Sequence, residues 1–134
     1  MKLKKVYYWS PFLTPIATCK AVINSAYSLN KFGKEFDATI MNFFGEFNQN
    51  ISEIRQKKIN LLNFYNINIT KYLPKYGKVS SRVSYLIFFI LGFLPLLKIL
   101  KKKPPDYIVI HLITSLPLIL LILFSFKTKF ILRI

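Results

Sequence analysis

One stretch of the chain decides its fold, PPDYIVIHLITSLPLILLILFSF at residues 104–126. Its last 20 residues carry no formal charge, and that length is enough for a membrane-spanning helix. Its internal order points elsewhere, because Pro-Pro-Asp precedes a β-branched run at 107–111. Thr-Ser-Leu-Pro at 114–117 is then typical of a helix start. The stretch therefore predicts a buried strand over 107–111, a short connection and a helix over about 115–126.

A second apolar stretch keeps a membrane-spanning alternative open. Residues 85–97 are apolar and run into Lys98, so two spans near 85–100 and 107–126 would form a hairpin. The basic residues on the two sides of such a hairpin give no clear orientation by the positive-inside rule. A small basic integral membrane protein with two spans is therefore the alternative interpretation.

Outside these stretches, the chain alternates between strand and helix patterns. Residues rich in β formers predict strands at 4–9, 37–43, 59–64 and 128–134. The polar segment 46–58 is predicted to be a loop or short helix, and 66–78 to be irregular because Pro74 and Gly77 interrupt it.

Two further helices are predicted from their end signals. Thr14 is a good N-cap with Pro15 at the first helical position, and Gly33 lies where a helix-ending glycine belongs. A longer helix is predicted from Ser80 or Ser81 toward residue 100, with a kink near 91–94 because Pro95 removes a backbone hydrogen bond.

The resulting order of strands and helices defines the fold class. Strands that alternate with helices predict an α/β domain, a Rossmann-like open parallel sheet with helices on both faces. The length of 134 residues suits one domain. Because the last predicted strand reaches residue 134, we expect the sheet to be truncated at its C-terminal end and the chain to be the front part of a longer protein.

Composition restricts the partners and cofactors. Hydrophobic residues make up 53% of the chain. The formal net charge is +15, so we expect an acidic partner: nucleic acid, anionic lipid or a phosphorylated ligand. A single Cys19 and a single His111 exclude a disulfide framework and a Cys/His metal cluster. No metal and no cofactor are therefore expected.

Several nucleotide-site motifs are missing. The sequence has no G-x-G-x-x-G after the first strand and no P-loop. The sequence signatures of RRM and OB modules are missing too. The net charge is then the only feature that favours nucleic acid, and we expect no nucleic-acid partner.

The candidate site residues lie where the predicted strands end, since ligands of such sheets bind beyond the carboxyl ends. His111 ends a predicted central strand and is equally well explained as a structural histidine. Thr14 is also explained as a helix cap, and Thr18 as a first-turn residue. Ser10 lies in the same loop, and Arg133 ends the last strand, where it would pair with phosphate or simply be solvated.

These segments together resemble the N-terminal domain of a bacterial family 4 (group 1) glycosyltransferase of the two-domain GT-B architecture. The similarity rests on KVYYWSPF at 5–12, the helix at 17–33, PDYIVIH at 105–111 and KFILRI at 129–134. The resemblance implies transfer, with retention, of a sugar from a nucleotide-sugar donor to a hydroxyl acceptor, lipid-linked or part of a surface polysaccharide.

The resemblance also assigns roles to residues. His111 matches the family histidine that contacts the donor sugar, and the loop 10–18 matches the acceptor- and phosphate-facing loop. The family's glycine pair is replaced by Ile-Ala-Thr at 16–18. Residues 1–134 would be the acceptor-side domain, inactive alone because the donor domain lies beyond them. Such enzymes are commonly peripheral at the cytoplasmic face of the plasma membrane, which fits the basic composition.

Overall fold

The structure is a computed structural model, and it describes residues 2–14, 17–111 and 115–133. Five parallel strands form one open sheet in the spatial order β3-β2-β1-β4-β5. The strands are β1 Lys4–Trp9, β2 Phe36–Asn42, β3 Asn60–Asn63, β4 Tyr107–His111 and β5 Lys129–Arg133. The chain begins in the middle of the sheet and builds outward on both sides, which is the doubly wound arrangement. The predicted α/β, Rossmann-like fold class is confirmed.

In the described part of the chain, four helices connect the strands, together with 3₁₀ turns at Asn48–Asn50 and Ile69–Lys71. The helices are α1 Ala17–Phe32, α2 Ile51–Gln56, α3 Lys78–Lys102 and α4 Ser115–Leu123. Residues of α1 and α2 pack in one apolar cluster, and residues of α3 and α4 pack in a second. The two clusters cover opposite faces of the sheet, as right-handed crossovers in both directions require.

α3 packs closely on the sheet at Gly92. A Cβ atom at this position would lie 2.9 Å from Leu116 of α4 and 3.2 Å from the rings of Phe44 and Trp9. Phe88 and Leu96 on the same side of the helix are fully buried. Glycine at residue 92 therefore lets the helix backbone approach the aromatic layer beneath it.

The predicted start of α3 at Ser80 or Ser81 is wrong. The helix begins at Lys78, with Gly77 as its N-cap at a φ of +102°. The Ser81 hydroxyl donates to the Gly77 carbonyl at 2.9 Å, one turn inside the helix. Glycine can adopt the positive φ that turns the chain into the helix, and this outweighs the capping preference of serine.

The other predicted ends of strands and helices agree with the structure in some places and differ in others. β1 and β4 have the predicted bounds, and α1 ends at Phe32, directly before Gly33. α4 ends at Leu123 rather than near residue 126, and an irregular connection leads from it to β5. The predicted cap turn at Pro15 and the predicted connection at 112–114 lie outside the described residues. The kink near residue 91 stays a prediction.

The stretch 107–126 does not form one long helix. Residues 107–111 form the strand β4 between β1 and β5, and α4 has nine residues. Among the described residues, one helix is long and apolar enough to cross a membrane, Val79–Lys102, with a mean hydropathy of 2.3. A third of that apolar window is buried (33%) in the packing of the domain.

Candidate functional site

Four strands end in a polar residue, and polar Ser10 directly follows the end of β1 at the same level of the sheet. Strand pairing places Asn42 beside Asn63, and His111 beside Arg133. Because Tyr8 pairs with Ile40, and Trp9 pairs with Ile110, Ser10 lies level with both Asn42 and His111. We call these residues the polar row: Asn63, Asn42, Ser10, His111 and Arg133. The row crosses the carboxyl edge, where doubly wound sheets bind their ligands.

The polar row lies on the α1 side of the sheet. Val6 and Tyr8 belong to the cluster that packs under α1, and Ser10 continues their alternation on the same face. The chain enters α1 at this edge, with half-buried Thr18 in its first turn and half-buried Thr14 in the preceding loop. The structure thus brings Ser10, His111 and Arg133 into one row, and places Thr14 and Thr18 at the same edge outside it.

His111 is a buried imidazole with unused hydrogen-bonding capacity. Its side chain is 5% exposed, and its ring centroid lies 5.9 Å from that of Tyr8. Its Nε2 atom has no hydrogen-bond partner among the described residues. Burial lowers the pKa of His111 below the ordinary value of 6.5, and the nearby Arg133 charge lowers it further. A neutral imidazole can accept or donate one hydrogen bond, which suits a hydroxyl group of a ligand.

Asn42 is the structural centre of the row, and the sequence analysis did not single it out. Its Nδ2 atom donates to Asn63 Oδ1 at 2.7 Å and to Asn48 Oδ1 at 2.9 Å. Its Oδ1 atom accepts from the Phe47 backbone N–H at 2.9 Å. Three bonds from one buried amide join the ends of β2 and β3 to the loop between β2 and α2, so Asn42 shapes this edge rather than offering a free group.

A cleft of about 210 Å³ opens beside the row, at the ends of β1, β2 and β3. Its walls come from the loops that follow these three strands. The lining residues are Phe12, Leu13, Gly45, Glu46, Gln49, Asn68, Thr70, Lys71 and Lys75. The cleft combines one carboxyl group, two lysines at its exposed rim and several neutral polar groups.

Glu46 is the most unusual residue of the cleft. Its side chain is buried, and its Oε2 atom accepts a hydrogen bond from the Phe44 backbone N–H at 2.8 Å. Burial raises the pKa of the Glu46 carboxyl to about 8, although backbone N–H groups of residues 43, 44 and 46 oppose the rise. A carboxyl group of this kind gains and loses its proton near neutral pH, as groups at functional sites often do.

Sequence reasoning missed Glu46 because it assigned 46–58 to a polar loop. The signal was present in FFGEF at 43–47, an acid enclosed by three phenylalanines. Gly45 allows the enclosure, since its φ is +82° and a Cβ atom there would lie 2.8 Å from the Cα of Asn68. The tight turn holds Glu46 in the cleft.

No family model matches this chain, and no curated protein matches it. The glycosyltransferase resemblance therefore stays a prediction, and the site is interpreted from its geometry.

Metal and thiol chemistry find no support in the part of the chain that the structure describes. No three His, Cys, Asp or Glu side chains gather there in a way that could hold a metal ion. The buried Cys19 thiol donates to Asn50 Oδ1 at 3.1 Å. Burial raises the pKa of Cys19 to about 11, so the thiol stays protonated and unreactive at neutral pH.

Proposed function

We propose that this chain is the acceptor-side domain of a glycosyltransferase, which transfers a sugar from a nucleotide-sugar donor to a lipid-linked or surface-polysaccharide acceptor. The observation that carries the proposal is the carboxyl edge of the sheet, where the polar row and the cleft lie side by side. This is the edge at which doubly wound domains bind nucleotides and sugars. The fold alone would not support this proposed function, because the same fold hosts many functions.

The polar row supplies groups that suit the donor side of such a reaction. His111 has a lowered pKa and a buried Nε2 atom without a partner among the described residues, so it is proposed to orient a hydroxyl of the transferred sugar. Arg133 is exposed next to it in the row and is proposed to pair with donor phosphate. Ser10, Thr14 and Thr18 are proposed to contact substrate from the neighbouring loop and helix.

The cleft supplies groups that suit the acceptor. Glu46 can accept a hydrogen bond from an acceptor hydroxyl, and Lys71 and Lys75 at the rim suit a phosphate-linked carrier. In this proposal the nucleotide is bound by a second, donor-side domain, and no metal takes part. The nucleotide sugar is a substrate rather than a cofactor.

Binding by the row and the cleft tests the proposal directly. Calorimetric titration with nucleotide sugars and with a short-chain prenyl-diphosphate sugar should detect binding of the acceptor class. Lys71→Gln/Lys75→Gln, at the rim of the cleft assigned to the acceptor, should weaken it, while Lys34→Gln, an exposed change at the opposite edge, should not. No binding of the prenyl-diphosphate sugar at millimolar concentration, or its equal binding by the Lys71/Lys75 and Lys34 variants, would contradict the proposal.

Sugar transfer by the protein as its gene encodes it gives the functional test. Removal of one well-placed hydrogen-bonding group typically costs about 100-fold in turnover. His111→Ala should therefore reduce transfer of radiolabelled sugar from nucleotide sugars into lipid by about that factor. An unchanged rate would remove His111 from the proposed site.

A second candidate function, an integral membrane protein, is favoured by α3 alone. The buried contacts of Phe88, Gly92 and Leu96 with the domain core argue against α3 leaving the sheet to span a bilayer. Extraction of membranes with alkaline carbonate separates the two, because release of the protein into the supernatant would exclude spanning helices.

A further inference from the structure

The outer side of α3 carries an apolar stripe. Val79, Val83, Leu86, Ile90 and Leu94 follow one another at helical spacing, and each is between 46% and 75% exposed. The stripe extends over 16 residues, from Val79 to Leu94, and is therefore about 22 Å long. Side chains of this size normally face a core, so their exposure on one face marks an interaction surface.

The apolar stripe continues onto α4, the neighbouring helix of the same layer. Residues 121–123 are Leu-Ile-Leu at the end of α4, and Ile122 is 82% exposed. Lys101 of α3 reaches over the Phe124 ring that follows α4, with Nζ 4.6 Å from its centroid. We call this combined surface, the stripe together with residues 121–123, the outer α3/α4 face.

Basic residues border this face: α3 and the residue after it carry six Lys and Arg residues and no acid. Residues 54–134 contain fourteen Lys and Arg residues and one acid, Asp106, for a net charge of +13. Residues 1–53 contain six basic and four acidic residues, for a net charge of +2. Arg82 and Lys98 flank the stripe, and the exposed 101–103 lysines follow its end. The apolar surface is thus bordered by cations and has no acid on either helix.

We propose that the outer α3/α4 face docks on the surface of an anionic lipid bilayer. Exposed apolar side chains enter the headgroup region, and the bordering cations pair with lipid phosphates. A second copy of the chain fits poorly, because dimerisation through this face would bring together two surfaces that are bordered by cations and carry no acid on either helix. The proposal stands on this surface and does not rest on the proposed sugar transfer.

The packing of α3 fixes how it meets the bilayer. Its opposite side is held on the sheet through Phe88, Leu96 and Leu100, all at most 2% exposed. The helix therefore lies in the plane of the membrane surface and does not cross the bilayer. Its N-terminal end follows the segment 71–76, in which Tyr72 and Tyr76 are 75% and 82% exposed. Lys71 and Lys75 of that segment also line the cleft, so docking brings the cleft close to the lipid headgroups.

Vesicle flotation tests the docking face with the native chain and matched variants. The native protein should float with vesicles that contain one-third phosphatidylglycerol and remain unbound with pure phosphatidylcholine. Leu86→Ser/Ile90→Ser/Leu94→Ser should weaken binding about 10-fold, because the membrane-inserted apolar area is lost. Its control, Leu3→Ser/Phe32→Ser/Ile131→Ser, changes three exposed apolar residues elsewhere and should stay within about twofold.

The charge requirement is tested in the same way. Lys98→Gln/Lys101→Gln/Lys102→Gln should weaken binding about 100-fold at low salt, since each basic residue near the surface contributes a factor of about 5. Lys20→Gln/Lys31→Gln/Lys34→Gln removes the same charge from the other half of the chain and should have a much smaller effect. Circular dichroism checks that all four variants keep the native fold, and the exposed positions make that the expected result.

A depth measurement provides an independent readout. A nitroxide attached at Leu86→Cys in a Cys19→Ser background should become inaccessible to water-soluble relaxation agents on anionic vesicles. The same label at Phe32→Cys should stay accessible. Equal flotation of each variant and its control, binding that ignores the lipid charge, or a dimer lost in the stripe variant would each overturn the proposal. Resistance of the native protein to alkaline carbonate would overturn it as well.

Discussion

The Tyr65 hydroxyl donates a hydrogen bond to the Leu91 carbonyl oxygen at 2.8 Å. In an uninterrupted helix that carbonyl would accept the N–H four residues later, at position 95. Residue 95 is proline and has no N–H. A side chain from the segment after β3 thus satisfies the backbone group that the proline leaves without a helical partner.

Tyr65→Phe is therefore expected to destabilise the domain by about 1–2 kcal/mol, because a half-buried carbonyl loses its partner. The loss should shrink in a Pro95→Ala background, where the alanine N–H can bond to Leu91. Urea unfolding of the two single variants and the double variant measures this coupling. Additive effects in that cycle would contradict the assigned role of Tyr65.

Gly92→Val is expected to destabilise the domain by about 2 kcal/mol, because the added atoms would overlap Leu116, Phe44 and Trp9. Gly92→Ala should cost less, since alanine gains about 1 kcal/mol of helix propensity over glycine. Leu86→Val, on the exposed side of the same helix, should change stability by less than about 0.5 kcal/mol. If Gly92→Val reduced the stability no more than Leu86→Val does, α3 would not pack closely on the sheet.

Sequence patterns were sufficient for much of the fold. The strand Tyr107–His111 could be predicted because a proline pair stops the preceding helix and β-branched residues follow. The start of α3 could not, because Gly77 precedes the helix at a φ of +102° and no side chain caps it, so the usual capping signal is missing.

The site was predictable where it depends on strand ends alone. Ser10, His111 and Arg133 share the polar row because parallel strands end at one edge. Glu46 was not predictable in the same way, since its burial depends on loops that follow three separate strands. Nor does a single sequence reveal that Asn42 binds Asn63, a partner 21 residues away.

The Glu46 carboxyl gives the domain a pH-dependent stability. Its pKa is about 8 in the folded chain and near 4.5 when unfolded, so the folded state binds the extra proton between these values. Its contribution is complete below pH 4.5 and is lost as the pH rises to about 8, with a slope of at most about 1.4 kcal/mol per pH unit. Glu46→Gln keeps the acceptor for the Phe44 N–H and should remove this slope.

Urea unfolding of the native chain and of Glu46→Gln at pH 5, 6, 7 and 8 measures the effect. The stability difference between the two proteins should change steadily over this range, in favour of the glutamine variant at high pH. Contributions from His111 are the same in both proteins and cancel in the difference. Parallel stability profiles would show that Glu46 is ionised in the folded chain across the whole range.

His111 is expected to titrate below pH 6.5, because burial and then the Arg133 charge lower its pKa. Its folded pKa lies below the unfolded value, so its contribution to stability is present above pH 6.5 and is lost as the pH falls. The chain has one histidine, so a single imidazole resonance followed by NMR reports the titration. Arg133→Gln should raise the pKa of His111 by removing the neighbouring charge, whereas Lys34→Gln should leave it unchanged. An equal effect of the two variants would mean that Arg133 does not act on the imidazole beside it in the polar row.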